Sequence, residues 1–296
     1  MKLLISGASG LVGAHLGKLL GASGHEATPL VRGEGRSGVL WGPATGIEEP
    51  SGAEGFDAVV HLAGDSIAGG RWSDAKKARI RDSRVIGTAA LAGSLAALKQ
   101  PPGVLVCASA IGYYGDRGAV VLDESAAPGE GFLSDVCREW EEACEPAVAA
   151  GIRVVNLRIG IILSPDGGAL AKMLLPFRMG AGGKIGGGRQ YMSWVSIDDV
   201  SGIILHVLEK EAIRGPVNTV APGAVTNAEF TKTLAGLLSR PAIFPMPAFA
   251  ARLVFGEMAD ALLLASTRVT PRRLEDSGYG FRHRELEGAL KDLLGR

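Results

Sequence analysis

A chain of 296 residues, 47% hydrophobic and 21% charged, carries enough apolar material for a substantial core and too much for a disordered state. Its 31 basic and 31 acidic side chains cancel, which removes the global field that would concentrate it on nucleic acid or on an anionic membrane, so neither is expected as a partner. No apolar stretch reaches the roughly 20 residues of a membrane span, and Cys107, Cys137 and Cys144 form neither a Cys-x-x-Cys pair nor a Cys/His cluster. The expectation is a reduced, cytoplasmic protein without a metal.

Leu3-Leu4-Ile5 reads as a strand that runs into a Gly-rich turn, behind which Leu11, Val12, His15, Leu16, Leu19 and Leu20 recur at helical spacing. Further strands are expected over 26–31, 39–41 and 58–62, then a long helix over 74–98 with a charged first half. A strand over 103–108, a helix over 132–150 and a strand over 152–157 continue the alternation. Such a rhythm implies an α/β fold, a Rossmann-like doubly wound parallel sheet covered on both faces. Beyond Gly160 the rhythm loosens. Helices are expected over 169–177, 227–239, 247–255, 258–264 and 284–294, with strands over 191–195 and 216–220. Asp198-Asp199 reads as the cap of a helix running to about residue 210. The division expected is a nucleotide-binding core over 1–160 and a smaller C-terminal substrate-side lobe over 161–296, with some later segments returning to the core.

Gly7-Ala8-Ser9-Gly10-Leu11-Val12-Gly13 follows a strand and opens a helix, the context in which a glycine pattern signals a dinucleotide site. Gly7 permits the tight turn, Gly10 admits main chain close to a pyrophosphate, and Gly13 lets helix and strand pack. Ser9, Leu11 and Val12 place free N–H donors at the positive end of the helix dipole. The second strand ends Leu30-Val31-Arg32-Gly33, without the carboxylate that reads a ribose 2′-hydroxyl; Arg32 can fork onto a 2′-phosphate, which points to NADP(H). Leu62-Ala63-Gly64 ends the fourth strand with side chains small enough to run under the adenosine, and His61 before it reads as a packed structural residue.

These blocks resemble the short-chain dehydrogenase/reductase superfamily in its extended, epimerase-like form. The likeness rests on the glycine turn, on Val59-Val60-His61-Leu62-Ala63-Gly64, on Ser109 to Gly115 and on Ser193 to Val200. The run Cys137-Arg138-Glu139-Trp140-Glu141, the block Gly186 to Val200 and the tail from Gly256 to Asp260 and Arg268 to Pro271 are similar to an atypical sugar-nucleotide epimerase-like family with a short C-terminal domain of unknown function. Extended members use a Tyr-x-x-x-Lys pair on the helix after the fifth strand, the tyrosine as acid/base and the lysine lowering its pKa. Here the aligned positions are Leu133 and Cys137, and the usual Ser/Thr position is Ala110, with Ser109 one residue early.

The nearest hydroxyls are Tyr113, Tyr114 and Ser109, which become the candidate catalytic groups, with Arg158 as a candidate cationic neighbour. Arg84 falls where the related enzymes often place an asparagine; with Ala108 and Arg158 it joins the candidate cofactor contacts. Arg189 and Lys172 are candidates for an anionic substrate group. The resemblance implies an NADP(H)-binding, epimerase-like oxidoreductase acting on a small carbonyl or sugar-nucleotide-like compound. The missing Tyr and Lys leave open a sensor that binds NADPH without turnover.

Overall fold

The computed structural model describes residues 1–33 and 35–296. The first half contains β1 (Lys2–Ser6), α1 (Leu11–Ala22), β2 (Glu26–Val31), β3 (Val39–Gly42), β4 (Gly46–Ile47), β5 (Ala58–His61), α2 (Asp74–Ala96), β6 (Val104–Ala110), β7 (Val121–Leu122), α3 (Phe132–Glu142), α4 (Glu145–Ala149) and β8 (Arg153–Ile159). The second contains β9 (Ile161–Ser164), α5 (Gly168–Arg178), β10 (Tyr191–Met192), β11 (Trp194–Ser196), α6 (Ile197–Glu209), β12 (Gly215–Thr219), β13 (Val225–Thr226), α7 (Asn227–Leu237), α8 (Ala248–Phe255), β14 (Arg268–Val269), α9 (Arg272–Asp276) and α10 (Leu286–Leu293).

One sheet of order β12-β8-β6-β5-β1-β2-β3-β4 organises the molecule, parallel throughout except for the terminal β3–β4 pair. The expected doubly wound α/β fold is therefore present. Successive residues of β1 serve opposite faces, as the period of two requires. Leu3 and Ile5 join Leu16 and Leu20 of α1 and Ile203 and Val207 of α6, whereas Leu4 joins Leu91 and Leu95 of α2 and Trp140 of α3. Each such side chain contributes about 1.5–3 kcal/mol by leaving water. β12 returns from the later chain to extend the sheet beside β8, pairing Val217 with Leu157. A separate core of Leu170, Leu174, Phe177, Trp194, Phe230 and Leu290 holds α5, α7 and α10 together.

Several local expectations are corrected. The helix expected over 132–150 breaks after Glu142, and Pro146, which has no N–H to continue the ladder, sits in the first turn of α4. The strand expected over 191–195 divides at Ser193, whose hydroxyl donates to the Thr267 carbonyl and accepts from the Val269 N–H. β10 then pairs with β13 and β11 with β9. Ser196, not Asp198 or Asp199, caps α6 by accepting from the Asp199 N–H. The Asp199 carboxylate instead receives the Arg282 and His283 N–H groups and so ties down the C-terminal segment. The helix expected over 258–264 is present, wound as a π-helix over Ala259–Leu264.

His61 is fully buried, and its Nδ1 lies 2.6 Å from Ser6 Oγ. That oxygen already accepts the Leu62 and Ala63 N–H groups, so its own proton points at Nδ1 and the imidazole is neutral. Burial pushes its pKa down to about 4. Above the ordinary histidine value of 6.5 neither folded nor unfolded chain carries this proton; between 6.5 and 4 only the unfolded chain takes it up, so stability falls with falling pH. We expect His61 to cost the wild type about 3 kcal/mol across that window. Urea unfolding as a function of pH checks this: His61→Asn should show a profile flatter by about that amount, and parallel profiles would refute it.

Candidate functional site

The turn after β1 has no room for side chains. Gly7 takes φ +70°, and a Cβ there would lie 2.9 Å from the Leu62 carbonyl carbon; a Cβ at Gly13 would lie 2.3 Å from the Gly7 oxygen. Strand, turn and helix thus close on one another through glycine alone. Gly10 caps α1 without a side-chain hydrogen bond, and the first turn of the helix carries no acidic residue. Its leading N–H groups and positive dipole end are left for an anion. Ser9 is exposed on the turn, Val12 packs into the core below, and the Leu11 side chain closes over Gly167 and Gly168. Arg32 stands exposed at the end of β2.

The floor beside this turn is built by Leu62, Ala63 and Gly64. The first two give their N–H groups to Ser6, and Gly64 is open to solvent on a chain that passes the Arg84 guanidinium. Arg84 Nη1 donates to the carbonyls of Asp65 and Ile80, both at 3.0 Å, while the guanidinium lies 5.0 Å from the Trp140 ring centre. Burial pushes its pKa down, opposed by the Asp65 charge. Among the described residues no carboxylate pairs with it. Asp65 belongs instead to Lys76, 2.6 Å away, whose hydrogen bond holds that carboxyl below its ordinary range.

At the carboxyl edge of β6 and β8 lies a buried charge knot. Arg158 Nε and Nη2 donate to the two Glu141 oxygens, each at 2.8 Å, and Nη1 donates to the Tyr114 hydroxyl at 3.0 Å. Burial alone would weaken the Arg158 cation, but Glu141 outweighs it and the pKa is raised. Ser109 donates to Glu141 at 2.8 Å, and Tyr114 donates to Asn218 on β12 at 2.6 Å. Burial raises the Tyr114 pKa against the pull of Arg158. The expected site residues therefore part company. Ser109 and Arg158 are 3% exposed, Tyr114 is 0% exposed, and their polar atoms are engaged within the protein. Ala108 is packed between sheet and helix beside Trp140. Tyr113 differs: its main chain is held by Ser134 and Gly129, the Arg158 guanidinium sits 3.5 Å from its ring centre, and its half-buried hydroxyl has no protein partner among the described residues.

Leu133 and Cys137 lie beneath Gly112, at the base of the Tyr113 loop. Burial and the Glu141 charge push the Cys137 thiol up to about 12, so it is inert. Sequence reasoning missed the pairing of Glu141 with Arg158 and the part played by Asn218. Glu141 and Arg158 stand 17 residues apart on α3 and β8 with α4 between them, and Tyr114 and Asn218 stand 104 residues apart, so neither pair leaves a periodic signal.

Removing one partner of the knot strands the other charge in the interior, which costs about 3–5 kcal/mol. We expect Glu141→Ala and Arg158→Ala each to lose that much in urea unfolding. The double variant should lose much less than the sum; strict additivity would show that the pair does not couple.

Residues 3–220 match the NAD dependent epimerase/dehydratase family, and residues 246–293 match a domain of unknown function, DUF1731. The epimerase family protein Mb2239 of Mycobacterium bovis is 40% identical over 288 residues, covering 97% of this chain and 95% of the relative. The crystal structure of human epimerase family protein SDR39U1 (isoform 2) with NADPH superposes with a TM-score of 0.92 at 36% identity, over 100% of this chain and 99% of that one. The nucleoside-diphosphate sugar epimerase from Corynebacterium glutamicum gives 0.83 at 36% identity, over 100% of this chain and 58% of that one. By sequence, sheet order and glycine turn alike, the chain belongs to the NAD dependent epimerase/dehydratase family.

Proposed function

We propose that the chain binds NADP(H) across the β1–α1 turn and catalyses reversible hydride transfer on a carbonyl or sugar-nucleotide-like compound at the carboxyl edge of the sheet. The observation that carries this reading is the turn itself: at Gly7 and Gly13 a Cβ would collide with main chain, and α1 begins with uncompensated N–H groups. The human relative with NADPH supports the choice of coenzyme. The residues present fit such a group. The N–H groups at the start of α1 would receive the pyrophosphate, Arg32 the 2′-phosphate, and Leu62 to Gly64 would pass beneath the adenosine. Arg84 keeps Nε and Nη2 without protein acceptors among the described residues and offers them to sugar hydroxyls or phosphate.

Bound there, the coenzyme supplies the hydride, and the protein supplies orientation and the proton. Tyr113 is the proposed acid/base, since Ser109 and Tyr114 are already committed to Glu141, Asn218 and Arg158. Its Oη gives a proton to the developing alkoxide on reduction and takes one back on oxidation. Arg158, locked by Glu141, holds the ring in place from below through a cation–π contact.

Calorimetry should show tighter binding of NADPH than of NADH, with Arg32→Ala losing about 10- to 100-fold for NADPH alone. Equal wild-type affinities would remove the 2′-phosphate assignment. With a turnover substrate found from a library of carbonyl compounds and nucleotide sugars, Tyr113→Phe should lower kcat at least about 100-fold while leaving NADPH affinity unchanged. Unchanged turnover would exclude Tyr113. The inert Cys137 and the apolar Leu133 favour a second reading, a sensor without turnover. On that reading NADPH binds tightly and is recovered unoxidised from every compound in the library.

A further inference from the structure

The zero net charge conceals a strong local asymmetry. Residues 167–197 and 239–256 together contain six basic residues and no acidic one, and all six are exposed. The two segments are folded on each other: Arg240 donates to the Arg178 carbonyl at 3.0 Å, the Met246 N–H to the Lys184 carbonyl at 2.9 Å, and the Gly186 N–H to the Met246 carbonyl at 2.8 Å. Of the basic side chains, Arg252 is paired with Asp260, while Arg178, Lys184 and Arg240 have no carboxylate partner among the described residues.

The same segments hold seven of the twelve large apolar side chains left exposed among the described residues. Leu175 and Met179 are 66% and 72% exposed at the end of α5, Ile243 and Phe244 70% and 61% on the loop between α7 and α8, and Phe249 and Leu253 72% and 75% on α8. The other five, Met1, Ile86, Val120, Val121 and Val148, are scattered over the core. An apolar group of this extent beside unpaired cations marks a docking face.

We propose that this face docks on the surface of a bilayer with anionic headgroups, the apolar side chains entering the acyl boundary and the surrounding lysine and arginine side chains resting on phosphates. The charge decides the occupant. A second copy of the chain would bring two basic rims together, and a nucleic acid would leave the phenylalanines and leucines in water. An anionic lipid surface satisfies both components at once. The loop is suited to insertion, because Pro241, Pro245 and Pro247 restrict its backbone and Met246 is already bridged to Ile185, so little order is lost on docking.

The test is cosedimentation of the whole chain with vesicles of phosphatidylcholine alone and of phosphatidylcholine mixed with phosphatidylglycerol. Sedimentation with the mixed vesicles is expected, weakening as salt rises, with little on phosphatidylcholine alone. Arg178→Ala and Lys184→Ala should each weaken partitioning roughly fivefold. Ile243→Ser with Phe244→Ser should abolish it at an unchanged melting temperature. Phe249→Ser with Leu253→Ser, on a different element, should do the same even if the loop pair fails to fold. No sedimentation with anionic vesicles at low salt, equal sedimentation with both compositions, or indifference to all four changes would overturn the proposal. So would a dimer in sedimentation equilibrium that the serine variants dissociate, since the face would then belong to a second copy.

Discussion

The carboxyl edge of the sheet depends on one buried ion pair. Glu141 arrives from α3 and Arg158 from β8, and between them they also hold Ser109 of β6, the hydroxyl of Tyr114 and, through it, Asn218 of β12. Two charges placed so deep attract strongly but give up hydration of comparable size, so the pair adds little to net stability. What it supplies is position: in this arrangement of strands and helix all five polar groups find partners, and the ring of Tyr113 rests on the guanidinium that results. The loop beside the cleft is shaped by electrostatics buried below it.

The opposite half of the cleft is shaped by exclusion. The β1–α1 turn carries no charge and little side chain, and the approach of the Gly7 and Gly13 backbones to Leu62 and Ala8 leaves no latitude for a Cβ. One wall is held by ionic pairing and the other by close contact of main chain. They meet at Arg84, whose guanidinium touches Gly64 on one side and Trp140 on the other. This division resembles the two tasks of a coenzyme-dependent site, in which one part grips a constant ligand and the other positions a variable one.

The sheet and the glycine turn were legible in the sequence because both are local. Strand, turn and helix occupy adjacent residues, and alternation of elements in a parallel sheet reports its own topology. Strands of two residues such as β4, β7, β10 and β13 were not legible as such, because two residues carry no period, and β7, β10 and β13 form only against partners distant in sequence. The break between α3 and α4 was legible in principle from Pro146 but was masked by the apolar pattern continuing across it. Among the candidate site residues, residue type identified Ser109, Tyr113 and Tyr114 together as hydroxyls of one loop region. Only the placement of Glu141 and Asn218 separates the two that are tied from the one that is not. Charge was the least legible property, since a sum of zero says nothing about how folding sorts acidic from basic residues.

The loop after β5 is fastened at several points. Asp65 is held by Lys76, Ser83 and Arg84, Ile67 receives the Trp72 indole N–H, and Ala68 receives Lys172 from α5. Of these ties, only the last comes from α5, through an exposed lysine side chain. The others come from α2 and from the loop itself, so the chain past Gly64 keeps its course by the grip of the helix that follows it.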